Sequence, residues 1–318
     1  MTRASDKTLL ALIEDADDLT RQSKDKIIRN LKDLQTKFIG PTTLLSILTK
    51  PGSIIPVLME QGWGNHRICG MINSPLSVYK RATWLQTGYP EEWKEWQDAR
   101  QEIQKIIDDA YEKNEGSEKY NSASVPWSNV IETRDELPKG SIERLLICFY
   151  TMIPPARSNY GDLFIYREAP KDEDIPEQQN YIVLTKKDKY IGLRRYKTDK
   201  YYNEIITKIP DDLSEEIEES LKQEPRTHMF IGRDGKPFNS ENSFTKFATR
   251  VFERIYKKPG LSITIFRRMY ISKADDCLQN KSWAEKKEVA KAMGHTVETQ
   301  SRVYFVKPEF NRPTSTDK

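Results

Sequence analysis

Cysteine and histidine are scarce in this chain of 318 residues, with three of each. The thiols at Cys69, Cys148 and Cys277 are scattered and odd in number, and no paired set of Cys or His ligands accompanies them. A disulfide framework and a catalytic zinc are therefore not expected, and the expected complement of metals and cofactors is none. Long apolar runs are missing too. Nothing approaches the ~20 residues that span a bilayer, and Met1-Thr-Arg-Ala-Ser-Asp has no apolar signal core. The expectation is a soluble intracellular protein, cytoplasmic or nuclear, or in a host cell if the source is viral, without membrane contact. Neither sign of charge dominates: Lys+Arg 51 against Asp+Glu 48 leaves +3 and a pI near 8.5. Such a balance permits nucleic-acid binding without demanding it, because what matters is basic residues gathered on one face. Internal repeats and low-complexity blocks are absent from the sequence.

The length is enough for two domains that each bury a core. From Ser23 onward Ile27, Ile28, Leu31, Leu34 and Phe38 recur at helical spacing, and Gly40-Pro41 stops that helix. Short apolar helices are predicted at Leu44–Leu48 and Ile54–Met59, with longer ones at Ser74–Leu85 and Glu91–Tyr111. Trp84, Trp93 and Trp96 are read as parts of the core of this helical domain, residues 1–115. The polar stretch 116–126 reads as a linker, and 127–318 as a second domain with a C-terminal tail. There, Ser141–Tyr150 is a dense apolar helix, and 162–167 and 181–185 look like strands. Residues 190–209 look like a hairpin with Lys197-Thr-Asp-Lys200 at its tip. Asp211–Gln223 and Glu241–Tyr256 read as helices. The fold class is mainly α with a small antiparallel β-sheet in the second domain. Gly232-Arg-Asp-Gly-Lys236 is a turn and not a phosphate loop, since Pro237 stands where Ser or Thr is required.

Taken singly, Arg157, Lys197, Arg267, His295 and Tyr304 have ordinary readings as surface, capping or packing residues. Taken in order, they are what breaking a phosphodiester without a metal requires. Two guanidinium groups hold the charge that builds on the non-bridging oxygens. A phenol oxygen forms a covalent phosphoryl-enzyme that conserves the bond, a lysine protonates the leaving 5′ oxygen, and a histidine assists. The residues themselves resemble a known family. Ala292-Met-Gly-His295 with Tyr304 nine residues on is similar to the Leu-Gly-His … Tyr signature of the tyrosine recombinases, or phage integrases. Thr264-Ile-Phe-Arg267 stands where that family has a His-x-x-Arg box. Arg157 after Pro154-Pro-Ala resembles the first catalytic arginine in its virus- and transposon-borne (crypton-like) form, and Tyr196-Lys-Thr198 the catalytic lysine of a hairpin turn.

That resemblance covers Ser141 to Tyr304 and implies a helical core-binding domain followed by a mixed α/β catalytic domain. It implies a site-specific recombinase or integrase with Tyr304 as nucleophile, Arg157 and Arg267 as phosphate clamps, Lys197 as general acid and His295 as supporting donor. Two departures stand out: Thr264 in place of histidine, and Arg268 where many members have histidine. A threonine hydroxyl can bond a phosphate oxygen but is no base near pH 7, so the general base is unassigned. The implied partner is double-stranded DNA, bound by homo-tetramers on paired sites, with a monomer allowed free in solution. Phe305–Phe310 is the implied segment docking on a neighbour. Lys24, Lys26, Arg29, Lys80 and Arg81 in the first domain, and Arg194, Arg195 and Arg268 in the second, are candidate phosphate contacts. Two rival readings are a type IB topoisomerase, which shares the chemistry, and a catalytically silent DNA-binding protein on the same scaffold.

Overall fold

The computed structural model describes residues 5–38, 43–197, 203–273 and 280–307. Gly40-Pro41, Thr198 to Lys200, Cys277 and residues 308–318 lie outside them. The chain divides into two compact units, Met1–Lys113 and Asn114–Lys318. Among the described residues no helix is long and apolar enough to cross a membrane.

The first unit holds α1 (Asp6–Glu14), α2 (Arg21–Asp33) with a π-helical turn at Leu34–Phe38, α3 (Leu44–Leu48), α4 (Pro51–Met59), α5 (Asn65–Arg81), α6 (Thr83–Gly88) and α7 (Pro90–Glu112). Ser5, Thr20 and Thr43 start α1, α2 and α3 by accepting a backbone N–H three residues on. Pro51 and Pro90 occupy the first turns of α4 and α7, where no N–H is needed. The core gathers Leu9, Leu31, Leu48, Ile72, Tyr79, Trp96 and Ile103. Tyr79 and Trp96 both donate to the Leu48 carbonyl at 3.0 Å, satisfying the end of α3. Helix α5 begins at Asn65 and not at Ser74, because Ile68, Cys69, Met71 and Ile72 are buried ahead of Pro75, which sits inside the helix and does not open it. Trp84 does not join the core: it is 46% exposed, while Trp96 is fully buried and Trp93 packs against the cluster.

The second unit places α8 (Glu118–Ala123), α9 (Trp127–Glu136) and α10 (Ile142–Thr151) ahead of the strands β1 (Phe164–Tyr166), β2 (Tyr181–Leu184), β3 (Lys189–Leu193) and β4 (Ile205–Lys208). Then come α11 (Asp211–Gln223), α12 (Glu241–Tyr256), α13 (Ile263–Ser272) and α14 (Trp283–Ala292). The polar stretch expected as a linker contains α8, whose Tyr120 and Ala123 are buried in this unit's core. Two apolar anchors among polar neighbours suffice for a single turn of docking. The sheet runs β1-β2-β3-β4 and is mixed rather than wholly antiparallel, since β1 pairs parallel with β2 while the other pairs are antiparallel. The hairpin of β3 and β4 is as expected, with Lys197 on the connection between them. Helix α10 is the centre of the core, buried along nearly its whole length. Phe149 and Tyr150 meet Tyr160, Phe230, Phe252 and Phe266 edge-on.

Candidate active site

Helix α13 carries Arg267 inward one turn after Thr264, which stays exposed in the first turn. Arg267 is 1% exposed. Its Nη1 donates to the Tyr304 hydroxyl at 2.9 Å and its Nη2 to the Met293 carbonyl at 2.7 Å. Nη2 also lies 3.3 Å from His295 Nδ1. A guanidinium has no acceptor, so this contact requires the Nδ1 lone pair and puts the proton of neutral His295 on Nε2. The imidazole stacks on the Tyr304 ring at 4.7 Å between centroids and 19° between planes.

The backbone that presents His295 is a helix ending. After α14, Gly294 turns left-handed at φ +68°, with its N–H on the Lys291 carbonyl and the His295 N–H on the Ala290 carbonyl. This pair of bonds is the Schellman arrangement, and glycine fits it without a Cβ penalty. The helix-capping reading of Gly294-His295 and the functional one are thus the same geometry. Tyr304 ends the π-helical turn Gln300–Tyr304, which the Phe305 N–H closes on the Gln300 carbonyl at 3.0 Å.

Arg157 and Lys197 line a cleft with Asn159, Tyr196, Met293 and Gly294. The Arg157 backbone is held from both sides: Tyr150 donates to its carbonyl at 2.8 Å, and the Ala156 N–H reaches the Tyr160 hydroxyl at 3.0 Å. Lys197 is brought up by a buried amide that sequence reading passed over. Asn180 accepts from the N–H groups of Arg194 and Arg195 and donates to the Arg195 carbonyl and to Asp162, all at 2.9–3.0 Å. Asn159 adds a bond to the same carbonyl at 3.1 Å. A lone asparagine in a loop has no sequence signature, which is why neither residue was expected.

Two guanidinium groups set the electrostatics here. Burial pushes Arg267 down from 12.5 to about 10, the Tyr304 hydroxyl opposes this and the nearby Arg157 adds to it. Burial likewise holds His295 at about 3, with Arg267 and Arg157 contributing and Gln300 opposing, so the ring is neutral at pH 7. No carboxylate pairs with Arg267 among the described residues, Arg267 Nε is buried without a hydrogen-bond partner, and His295 Nε2 is buried beside the Gln300 side chain, which acts on its charge but does not meet hydrogen-bond geometry. Buried donors left unpaired cost stability and call for an acceptor. Among the described residues no three His, Cys, Asp or Glu side chains gather as a metal site.

The candidate DNA contacts divide. Lys26, Arg29 and Lys80 are exposed, Lys80 beside Asp18, while Lys24 donates to the Glu14 carbonyl. Arg195 is about half exposed and paired with Asp162. Arg81 and Arg194 are engaged within the chain: Arg81 is drawn onto Asp18, and Arg194 is held by Glu204, Asp172 and the Ile175 carbonyl. Arg268 turns back over the Tyr120 ring at 5.1 Å, a packing position. Phe305 and Val306, the start of the expected docking segment, are buried in their own unit.

No family model matches the chain, and no curated protein matches it. Among solved structures it is similar to one described as the crystal structure of XerA recombinase, at a TM-score of 0.38 and 10% identity, over 98% of this chain and 95% of that one. A likeness at that level leaves the chemistry to be judged from the side chains alone.

Proposed function

We propose that the chain is a DNA strand transferase of the tyrosine-recombinase kind, a site-specific recombinase or integrase that cuts one strand at a time without a metal. The observation that carries this reading is the buried guanidinium of Arg267, unpaired with any described carboxylate, bonded to the Tyr304 hydroxyl and close to a second guanidinium. Such an arrangement is costly in a folded core and becomes favourable when a doubly ester-linked phosphate enters.

In this reading the Tyr304 oxygen attacks phosphorus, and its proton departs to water entering with the DNA. Arg157, Arg267, the Nε2–H of His295 and the Thr264 hydroxyl donate to the non-bridging oxygens. The bond from phosphorus to the 5′ oxygen breaks, Lys197 gives that oxygen a proton, and the strand's 3′ phosphate remains on Tyr304. A neutral His295 whose Nδ1 is engaged by Arg267 is a donor here, not the base. Exposed Lys26, Arg29 and Lys80 are assigned to phosphates of the duplex, with assembly as tetramers on paired sites.

The test is covalent trapping on a nicked suicide duplex. Wild type should give a denaturation-resistant protein–DNA complex, and Tyr304→Phe should give none while keeping salt-sensitive DNA binding. An adduct formed by the Phe variant would remove Tyr304 from its role, and no wild-type adduct at saturating DNA would leave a silent DNA-binding protein.

A further inference from the structure

We infer that Asn114 is a positioning residue for the Tyr304 nucleophile, an inference that rests on the recombinase reading. The π-helical turn at Gln300–Tyr304 ends on the bond from the Phe305 N–H to the Gln300 carbonyl. The next bond of that ladder would run from the Val306 N–H to the Ser301 carbonyl. It is not made, because the Val306 N–H goes instead to the Ser272 hydroxyl at 2.8 Å, at the end of the helix that carries Arg267. The Ser301 carbonyl is left over, and the Asn114 side chain takes it at 2.7 Å. The same amide reaches the Phe305 carbonyl at 3.5 Å, a weaker contact, and the Asn114 carbonyl accepts the Lys307 N–H at 3.1 Å.

Residues on both sides of Tyr304 are thus tied to one asparagine at the first position of the second unit. Ser272 ties the segment from the Arg267 side, and Asn114 ties it from outside that helix. Asn114 is left-handed, at φ +54°, a conformation that asparagine tolerates better than most residues with a Cβ. Together these ties fix the register of the turn that ends in the phenol. Loss of them lets the turn slip or lengthen, which moves the Tyr304 oxygen off Arg267 without touching any group that meets DNA.

The experiment uses the full chain and two variants. Asn114→Gly keeps the left-handed turn and removes the donors, and Asn114→Asp keeps the size and cannot donate. Both should raise amide hydrogen exchange in 300–307 while leaving α12 unchanged. Single-turnover adduct formation at saturating nicked duplex should fall about tenfold or more, with the half-saturating DNA concentration unchanged. A residue that merely supported the fold would move the DNA concentration dependence and the exchange of α12 as well. Wild-type rates and wild-type exchange in both variants would overturn the inference. Faster exchange in 300–307 in a protein whose wild type forms no adduct would keep the tie and remove the recombinase reading.

Discussion

Replacing Arg267 by methionine should abolish activity without lowering the stability of the fold. Methionine has a similar reach and no charge, so it fills the same volume without the desolvation cost. Burial holds the guanidinium at about 10 instead of 12.5, and that difference corresponds to roughly 3 kcal/mol by which the fold disfavours the charge at neutral pH. Against this stands the loss of three contacts: the Met293 carbonyl and the Tyr304 hydroxyl each lose a donor at about 1 kcal/mol apiece, and His295 Nδ1 loses the longer contact at 3.3 Å, at about 0.5–1 kcal/mol. The balance is about 0–1 kcal/mol in favour of Arg267→Met, which for a unit of this size leaves Tm unchanged or raises it by up to roughly 4 °C. Differential scanning calorimetry at pH 7 reads that shift, and trapping on nicked DNA should show no adduct from the same protein. A Tm lowered by several degrees would mean that Arg267 is a structural tie and that the site has no uncompensated charge waiting for phosphate.

Further perturbations probe the rest of the unit. Lys197→Ala should slow cleavage of an ordinary duplex by roughly 10²–10⁴-fold and leave a substrate with a bridging 5′ sulfur almost unaffected, since a thiolate leaves without a proton; equal defects on both substrates would refute its role as acid. His295 is held at about 3 against 6.5 when unfolded, so its contribution is complete above pH 6.5 and is lost as the pH falls toward 3. Between pH 7 and pH 4 this group should cost up to roughly 3 kcal/mol in urea unfolding, and His295→Gln should flatten the pH dependence by that amount. Gly161→Ala places a Cβ 2.6 Å from the fully buried Phe244, and should destabilise by about 1–3 kcal/mol without altering DNA affinity. Glu216→Gln, which strips the carboxylate from the buried Arg144, should cost about 3–5 kcal/mol by the same measurement.

The convergence of the candidate residues was legible where their order and short spacing are set by local structure. Arg267, His295 and Tyr304 converge as their spacing predicts, because a glycine-ended helix and one π-helical turn are local structures that a short sequence encodes. Helices α3, α11 and α12 fall where apolar periodicity puts them. What stayed hidden depends on distant partners. A proline within α5 looks like a helix start until its upstream turns are seen to be buried. The ion pairs of Arg81 and Arg194 were equally hidden, since Asp18, Asp172 and Glu204 arrive from other parts of the chain. The parallel pairing of β1 with β2 also depends on a long connection whose path no local pattern sets.

Three arginines of the second unit with enclosed side chains differ in how their guanidinium groups are met, and the difference supports the role proposed for Arg267. Arg144 gives Nε and Nη2 to both oxygens of Glu216 and Nη1 to carbonyls at Asp135 and Leu137, and the carboxylate holds its pKa above the ordinary value. Arg226 has no such close carboxylate, yet its Nε, Nη1 and Nη2 all end on carbonyls or the Ser220 hydroxyl. The fold therefore satisfies a buried guanidinium in two different ways within this unit. Arg267 receives the second treatment only in part: Nη1 and Nη2 end on the Tyr304 hydroxyl and the Met293 carbonyl, but its Nε–H is orphaned and a second guanidinium, Arg157, stands near it; burial depresses its pKa as it does that of Arg226. An arginine that must meet an incoming oxyanion has to be left incomplete, with the phenol bonded to the same group.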